Sequence, residues 1–352
     1  MDVSELTSDG ELQIMRRYFC SHCANEIHFD STVCVKCNSD LAYSSSMDEF
    51  QSSAANSMPI SGVDRYCANR NSIHCNWTLE QDESSPFCVS CRHTLVIPDR
   101  STAPNIERWA RLESAKRMLF YSLQKFHLPL GGQNDEVNHE LRFEFKSDLV
   151  PAVGQETRVF TGHQAGVITI NIVEADDDVR EQHRVAMGEP YRTLIGHFRH
   201  EIGHFYWDQL VSRTGKLDAF RARFGDERMA YTEALERHYQ SGPPLGWENF
   251  FVSSYASSHP WEDFAETWAH YFHIVDGLET AQSYAVASSS DKSDMTPYET
   301  KSINELVNAW VPLTIAMNAM NRSIGNSDFY PFVLSEAISG KLQFIHNLIH
   351  NA

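Results

Sequence analysis

Long apolar runs are the first thing that this sequence lacks. None of its 352 residues lies in a stretch approaching the ~18 apolar residues that a membrane-spanning helix needs. The opening residues MDVSELTSDGELQIMRRYFC also contain no apolar segment of the kind found in signal peptides. We therefore expect a cytoplasmic protein with no membrane partner.

Basic residues are scarce relative to acidic ones. The chain has 29 Lys and Arg against 47 Asp and Glu, which gives a formal net charge of −18 at pH 7. Residues 1–100 share the deficit, with 7 Lys and Arg against 14 Asp and Glu. Nucleic acids and anionic membranes attract clustered positive charge. The balance therefore argues against a nucleic-acid partner.

Cysteine is absent after residue 91, and six of the eight cysteines up to and including Cys91 form C-x-x-C pairs. Such pairs present two thiolates to one zinc ion. We therefore predict two structural zinc sites. The first consists of Cys20, Cys23, Cys34 and Cys37, and the second of Cys67, Cys75, Cys88 and Cys91.

Two alternatives to these zinc sites remain open. Seven residues separate Cys67 from Cys75, and His74 could replace Cys75 as a ligand of the second site. Four disulfides are the competing interpretation, which the lack of a secretion signal disfavours. A redox dithiol is disfavoured as well, because nothing around the pairs resembles a βαβ unit.

Composition divides the chain into four segments. We predict a first zinc ribbon in residues 1–43, a Ser-rich linker in 44–62, a second zinc-ribbon module in 63–100 and a larger domain in 101–352. A ribbon this small cannot close a hydrophobic core alone. Zinc should therefore supply much of its folding free energy.

Beyond residue 100 the apolar pattern indicates an α+β fold that is mainly helical. Apolar residues recur at three- to four-residue steps from Ile106 to Phe126, which predicts an amphipathic helix ending before Pro129. Alternation at every second residue predicts strands at 141–145 and 167–173. Further helices are expected at 217–224, 226–239, 261–274 and 303–320, with a polar loop at 287–296.

The motif that carries chemistry is HEIGH at residues 200–204, which has the form H-E-x-x-H. Residues four apart share a helix face, so His200 and His204 can direct two imidazole nitrogens at one zinc ion. Glu201 lies beside that metal, where it can take a proton from water. We predict a helix over 191–211 with Pro190 at its start. The alternative is two core histidines and a surface glutamate.

A catalytic zinc ion with two histidine ligands needs a third protein ligand. The best candidate segment is 255–273, YASSHPWEDFAETWAHYFH, in which Pro260 can begin a helix. Glu262 and Glu266 are four apart, so one can bind metal while the other accepts a hydrogen bond from a metal-bound histidine. Other possible ligands in this segment are Asp263, His259, His270 and His273.

These motifs resemble those of gluzincins, zinc peptidases with H-E-x-x-H on one helix and a glutamate ligand on a later one. The resemblance implies that Glu262 is the third zinc ligand and that Glu266 holds a histidine. In gluzincins similar to lethal factor and the Pro-Pro endopeptidases, a tyrosine seven residues before the ligand polarises the substrate carbonyl. Tyr255 stands at that offset.

A wider resemblance rests on TLIGHFRHEIGHFYWD, on YASSHPWEDFAETWAHYFHIVD and on the paired N-terminal cysteines. Together they resemble the bacterial zinc-binding metallopeptidases that carry an N-terminal zinc ribbon. The likeness spans about residues 18–281. It implies an α+β architecture, in which small zinc-ribbon modules precede a mainly helical, gluzincin-like metallopeptidase domain with a small β-sheet in 101–352.

We therefore expect one catalytic and two structural zinc ions and a peptide or protein substrate. Glu201 would take a proton from the attacking water and pass it to the leaving amine, while Tyr255 would stabilise the oxyanion. The ribbons could also bind a protein partner. The competing hypothesis is a zinc-ribbon adaptor with a non-catalytic metal helix, and a hydrolase of non-peptide amides is a third.

Two features near the metal helix complete these expectations. The strand at 167–173 is expected either to be a sheet edge that pairs with an extended substrate or to be an ordinary buried strand. The acidic run at 174–178 is expected to be a solvated turn rather than a metal site.

Overall fold

The computed structural model describes residues 17–53, 65–80, 84–131, 140–148, 158–187, 192–286 and 295–351. The strands within these ranges are β1 Tyr18–Phe19, β2 Glu26–Ile27, β3 Asp40–Ser44, β4 Glu49–Ser53, β5 Thr94–Val96, β6 Arg142–Lys146, β7 Gly162–Gln164 and β8 Val167–Asn171. The helices are α1 Arg70–Ile73, α2 Ala103–Lys125, α3 Asp177–Met187, α4 Leu194–Leu210, α5 Leu217–Phe224, α6 Tyr231–Ser241, α7 Pro260–Ser283, α8 Ile303–Ser323 and α9 Glu336–His350. These elements confirm the α+β class with a mainly helical C-terminal part.

Two antiparallel hairpins, β1–β2 and β3–β4, build the N-terminal segment. The second hairpin includes residues 44–53, so the prediction of a linker is wrong for this part of 44–62. Phe50 is buried, and its ring lies 5.7 Å from that of Tyr43. This aromatic side chain packs the segment into the core although the residues around it are polar. Residues 54–62 lie outside the described residues.

A four-stranded mixed sheet joins the N-terminal segment to the helical part. The strand order is β5-β6-β8-β7, in which β7 alone runs antiparallel to its neighbour. β8 lies inside this sheet, so the expectation of an edge strand at 167–173 is wrong and the interior alternative holds. Ala165 and Gly166 both have positive φ, a two-residue turn that folds β7 back onto the outer side of β8.

The chain after β8 also departs from the expectation. β8 ends at Asn171, whose side chain accepts a hydrogen bond from Val173 N at 3.2 Å and begins a 3-10 turn. Glu174 in this turn is buried, so the prediction of a solvated turn at 174–178 is wrong for that residue. Asp177 and Asp178 instead begin α3, where acidic side chains favour a helix N-terminus.

α4, which carries the H-E-x-x-H motif, begins at Leu194 and not at 191 as predicted. Thr193 Oγ1 accepts a hydrogen bond from Gly196 N at 3.1 Å and caps the helix. Pro190 and Tyr191 lie outside the described residues. α4 therefore starts at a side-chain cap.

The packing of α4 against α7 depends on Gly203, the fourth residue of the motif. A Cβ atom at Gly203 would lie 2.9 Å from Ala265 Cα, which is closer than real Cβ atoms come. The missing side chain therefore lets the two helices approach closely and brings the N-terminal turn of α7 beside the histidines of α4.

The remaining helices follow the sequence patterns to different degrees. α2 and α5 lie where they were predicted, whereas α6 begins at Tyr231 because Asp226 accepts a hydrogen bond from Arg228 N in a turn (3.0 Å). α7 runs on to Ser283, past the predicted end at 274, and α9, which packs against it, was not predicted. Residues 287–294 of the expected polar loop lie outside the described residues. In the described part of the chain, no helix combines the length and apolar character needed to cross a membrane.

Candidate metal centres

The structure gathers the cysteines into two groups of four. The first cluster is Cys20, Cys23, Cys34 and Cys37, and the second cluster is Cys67, Cys75, Cys88 and Cys91. Neighbouring Sγ atoms lie 3.6 and 3.7 Å apart in the first cluster and 3.7 and 3.8 Å apart in the second. A tetrahedral zinc ion with Zn–S bonds of ~2.3 Å separates its sulfurs by about 3.8 Å. Both clusters therefore fit zinc.

The same distances exclude the alternatives drawn from the sequence. A disulfide needs an S–S distance of about 2.05 Å, and all eight cysteines are free. His74 is exposed and ends α1 in the left-handed conformation, with φ of 54°. Cys75, and not His74, therefore completes the second cluster.

The second cluster packs directly on α2. Cys91 Sγ lies 3.8 Å from Glu113 Oε2, and Glu113 forms an ion pair of 2.9 Å with Lys116 in which both side chains are fully buried. Thr94 Oγ1 donates a hydrogen bond of 2.6 Å to Glu113, and Arg117 is buried nearby. The cysteine segment and the helical part therefore share one core.

A third group combines two histidines and a glutamate from α4 and α7. His200 Nε2 lies 3.2 Å from His204 Nε2 and 3.0 Å from Glu262 Oε2, and the latter is 3.5 Å from His204 Nε2. Tetrahedral zinc with bonds of ~2.05 Å separates nitrogen and oxygen ligands by about 3.3 Å. The three atoms therefore have the spacing of three corners of a zinc tetrahedron.

Neighbouring side chains hold two of these groups in place. Glu266 accepts a hydrogen bond of 2.7 Å from His200 Nδ1 and one of 2.5 Å from Ser253 Oγ. Burial raises the pKa of Glu266, but the hydrogen bond and charge of His200, together with His270 and the Ser253 hydroxyl, outweigh it and lower that pKa to about 2. Tyr231 donates a hydrogen bond of 2.7 Å to Glu262 Oε1. Sequence reasoning missed Tyr231, and its separation from α7 along the chain gives no pattern that could have identified it.

His200 of the histidine–glutamate group lines a cleft of about 570 Å³. Glu201, Tyr255 and Glu266 line this cleft together with His200. Burial raises the pKa of Glu201, against the opposing effect of His200. Burial also raises the pKa of Tyr255 well above its ordinary value, so its hydroxyl stays protonated and able to donate.

The other candidate ligands on α7 are engaged elsewhere. Asp263 is buried in an ion pair of 2.6 Å with Lys341 of α9. His259 caps α7 by accepting a hydrogen bond of 3.1 Å from Trp261 N. The remaining two imidazoles, of His270 and His273, contact the hydroxyl of Tyr330 at 2.7 Å and the guanidinium of Arg199, respectively.

Comparisons with known proteins match both parts of the chain. Residues 105–348 match the family described as "Putative zinc-binding metallo-peptidase", and residues 17–102 match a zinc-ribbon domain. Uncharacterized proteins from Mycobacterium bovis and Mycobacterium tuberculosis are 40% identical to this chain over 336 residues, which is 95% of the chain and 95% of each relative. No solved structure matches the chain.

The fold, the metal-ligand groups and these matches define a class of protein, in which a zinc ribbon precedes a metallopeptidase-like helical domain. Because the first match covers more than half of the sequence, the chain belongs to the family of "Putative zinc-binding metallo-peptidase" proteins. This membership confirms the wider resemblance drawn from the motifs.

Proposed function

We propose that this protein is a gluzincin-type zinc peptidase that hydrolyses peptide bonds. The zinc ligands are His200 Nε2, His204 Nε2 and Glu262 Oε2. The observation that carries the proposal is their mutual spacing of 3.0 to 3.5 Å, with His200 and Glu201 lining one cleft of about 570 Å³. Three protein ligands leave the fourth zinc position to water and substrate, as catalytic zinc sites require.

A zinc ion bound there supplies Lewis acidity, which makes water a stronger acid and a peptide carbonyl a better electrophile. Glu201 takes the proton from the attacking water and then delivers it to the nitrogen of the leaving amine. Its burial suits this role, because a carboxylate with a raised pKa holds a proton more readily. The shared cleft gives Glu201 access to the scissile bond.

Other residues orient the ligands and the substrate. Glu266 accepts the outer N–H of His200 and so fixes the ring that offers Nε2 inward. Tyr231 does the same for Glu262 by holding Oε1, which leaves Oε2 for the metal. The Tyr255 hydroxyl donates a hydrogen bond to the carbonyl oxygen as that oxygen gains negative charge.

The two cysteine clusters bind one structural zinc ion each, which gives three zinc ions per chain. The first ribbon includes the β3–β4 hairpin and so reaches Ser53, the second ribbon lies within 63–100, and the peptidase domain is 101–352. The substrate is a peptide or a protein, and the ribbons offer a surface for a protein partner.

Digestion of a peptide library with the zinc-loaded protein tests the proposed activity, with Glu201→Gln as the blank. Removal of a general base should lower turnover about 100- to 10,000-fold while the zinc content stays at three per chain. His204→Ala should lose one zinc ion together with hydrolysis, and Tyr255→Phe should lower turnover without loss of zinc. Cleavage by Glu201→Gln at the parental rate would reject the proposal.

A further inference from the structure

Glu174 is a buried carboxylate that the proposed mechanism does not use. Three nitrogen-bearing side chains surround it: His197 Nδ1 at 3.2 Å, Arg192 Nη2 at 3.7 Å and His183 Nδ1 at 3.8 Å. His197 lies near the start of α4, Arg192 directly precedes Thr193, which caps α4, and His183 lies on α3. Burial alone raises the pKa of Glu174, but His197, Arg192 and His183 together bring it below its ordinary value. The carboxylate is therefore held in its charged form.

This group forms one wall of the cleft that contains Glu201. Glu174, Arg192, His197 and His183 all line that cleft. His197 lies one helical turn before Glu201 and on the same face of α4. The group is therefore continuous with the proposed site of hydrolysis, where a bound peptide would reach it.

The formal charges on this wall balance. Glu174 supplies one negative charge, which Arg192 at 3.7 Å balances. The first turn of α4 adds the positive end of a helix dipole, since Thr193 and Gly196 also line the cleft.

The remaining charged groups are Asp148 and Arg158, whose formal charges offset each other, and the carboxylates of the histidine–glutamate group. Asp148 Oδ1 already accepts hydrogen bonds from Val159 N at 2.7 Å and Asn171 Nδ2 at 2.9 Å. Arg158 adds an exposed positive charge at the rim. Glu201, Glu262 and Glu266 carry three negative charges against the two positive charges of a zinc ion, so the metal end of the cleft keeps about one negative charge and lies apart from this wall.

We propose that Arg192 and His197, held in position by Glu174, form an anion-binding subsite that recognises a carboxylate of the bound peptide. This deepens the proposed function, on which it rests for the choice of a peptide as ligand. The carboxylate comes from an Asp or Glu side chain or from the peptide C-terminus, and the two sources share the same chemistry. A guanidinium and an imidazole in a partly enclosed cleft are suited to bind it.

Binding of short peptides to the zinc-loaded Glu201→Gln protein tests the subsite without requiring turnover. One probe pair is acetyl-Ala-Ala-Glu-Ala-Ala-amide and its Gln counterpart, which reports on a side-chain carboxylate. The other is acetyl-penta-alanine with a free or an amidated C-terminus. Calorimetry at fixed ionic strength should give at least tenfold tighter binding of the acid in one of the two pairs, and that pair identifies the source.

Substitutions that should change the preference for the acid peptide in opposite directions separate a loss of recognition from structural damage. Arg192→Gln should reduce the preference for the acid to below threefold, and Arg192→Lys should keep most of it. Glu174→Gln keeps the shape of the side chain but removes its competing charge, so it should increase the preference. The double variant Glu174→Gln/Arg192→Gln leaves no uncompensated buried charge, and it should also lose the preference for the acid peptide. Arg228→Gln, at an exposed arginine outside the cleft, is the control for net charge and should change nothing.

Two results would overturn the subsite. One is acid and amide binding within twofold of each other in both pairs, including no detectable binding of any peptide. The other is an acid preference that Arg192→Gln leaves intact. Failure of the parent protein to cleave any peptide would instead reject the peptidase, and the ratios measured on Glu201→Gln would still decide the subsite.

Discussion

Replacement of Gly203 by alanine tests whether the close crossing of α4 and α7 positions Glu262, the proposed third zinc ligand. The new Cβ would lie 2.9 Å from Ala265 Cα and 3.2 Å from Trp268 Cβ, whereas ordinary contacts begin at 3.4 Å. The contact with Ala265 involves backbone, so a side-chain rotation cannot relieve it and α7 must move. Glu262 lies one turn before Ala265 on the same face of α7 and moves with it.

The expected loss of zinc affinity follows from how little the ligand distances of a zinc site can vary. Ligand distances in zinc sites vary by only about 0.2 Å, which is less than the shift that Gly203→Ala demands. Overpacking costs about 1–3 kcal/mol. If zinc binding must draw the helices back together, the affinity of the histidine–glutamate site falls roughly 5- to 150-fold. Competition with a chelator after cobalt substitution measures this affinity. The cobalt ion in the histidine–glutamate site can be followed separately, because this site lacks the intense thiolate absorption of the cysteine clusters.

Two other glycines provide matched controls. Gly277→Ala would place its Cβ 2.5 Å from the ring of Trp310, which overpacks α7 against α8 about 18 Å along the helix from Ala265. It should lower thermal stability and leave the metal affinity within twofold. Gly162→Ala meets nothing within 4 Å and should change neither. Parental metal affinity in Gly203→Ala, or equal weakening by Gly277→Ala, would refute the reasoning.

Three further predictions follow from buried polar groups. Glu266→Gln should weaken metal binding about 10- to 100-fold, measured by the same competition, because the charged acceptor of the His200 N–H is lost. Lys116→Met should lower the free energy of unfolding by about 3–5 kcal/mol in denaturant titrations, because Glu113 remains buried without its cation. Burial raises the pKa of Glu279 to about 9, so the folded protein keeps a proton that the unfolded chain releases above pH ~4.5. Stability should therefore fall as pH rises from ~4.5 to 9, by up to about 1.4 kcal/mol per pH unit, and Glu279→Gln should flatten this slope.

Each of these predictions has an outcome that contradicts it. Parental metal affinity in Glu266→Gln would mean that the His200 ring is held by packing alone. A change below 1 kcal/mol for Lys116→Met would mean that water reaches Glu113. Parallel pH profiles for the parent and Glu279→Gln, compared above pH 6 where zinc remains bound, would assign the slope to other groups.

The sequence was most informative where function depends on residues close together in the chain. Helical geometry alone places His200 and His204 on one face, and a C-x-x-C turn alone brings two thiolates together. Both patterns predicted groups that the structure brings within ligand distance of each other. The periodicity of apolar residues likewise indicated α2, α5 and the α+β class, because each of these follows from local spacing.

Composition was a poor guide where one side chain decides the structure. The Ser-rich segment around Phe50 is a strand and not a linker, since a single aromatic ring anchors it in the core. Glu174 looked like part of a solvated acidic run, yet it is buried in the cleft within 3.8 Å of nitrogen atoms of His183, Arg192 and His197, which follow it by 9 to 23 residues. Such partners cannot be identified from the residues beside them.

What the sequence by itself determined is therefore the set of zinc-binding residue types, their pairing within each helix or turn, and the family. The choice of Glu262 over Asp263 beside the histidines depended on the rotation of α7 against α4, which packing at Gly203 sets. The support of Glu262 by Tyr231 and the shared core of the second cluster and α2 also required the tertiary structure. The physical reason is that backbone geometry fixes distances over a few residues, whereas distances between distant segments follow only from how the whole core packs.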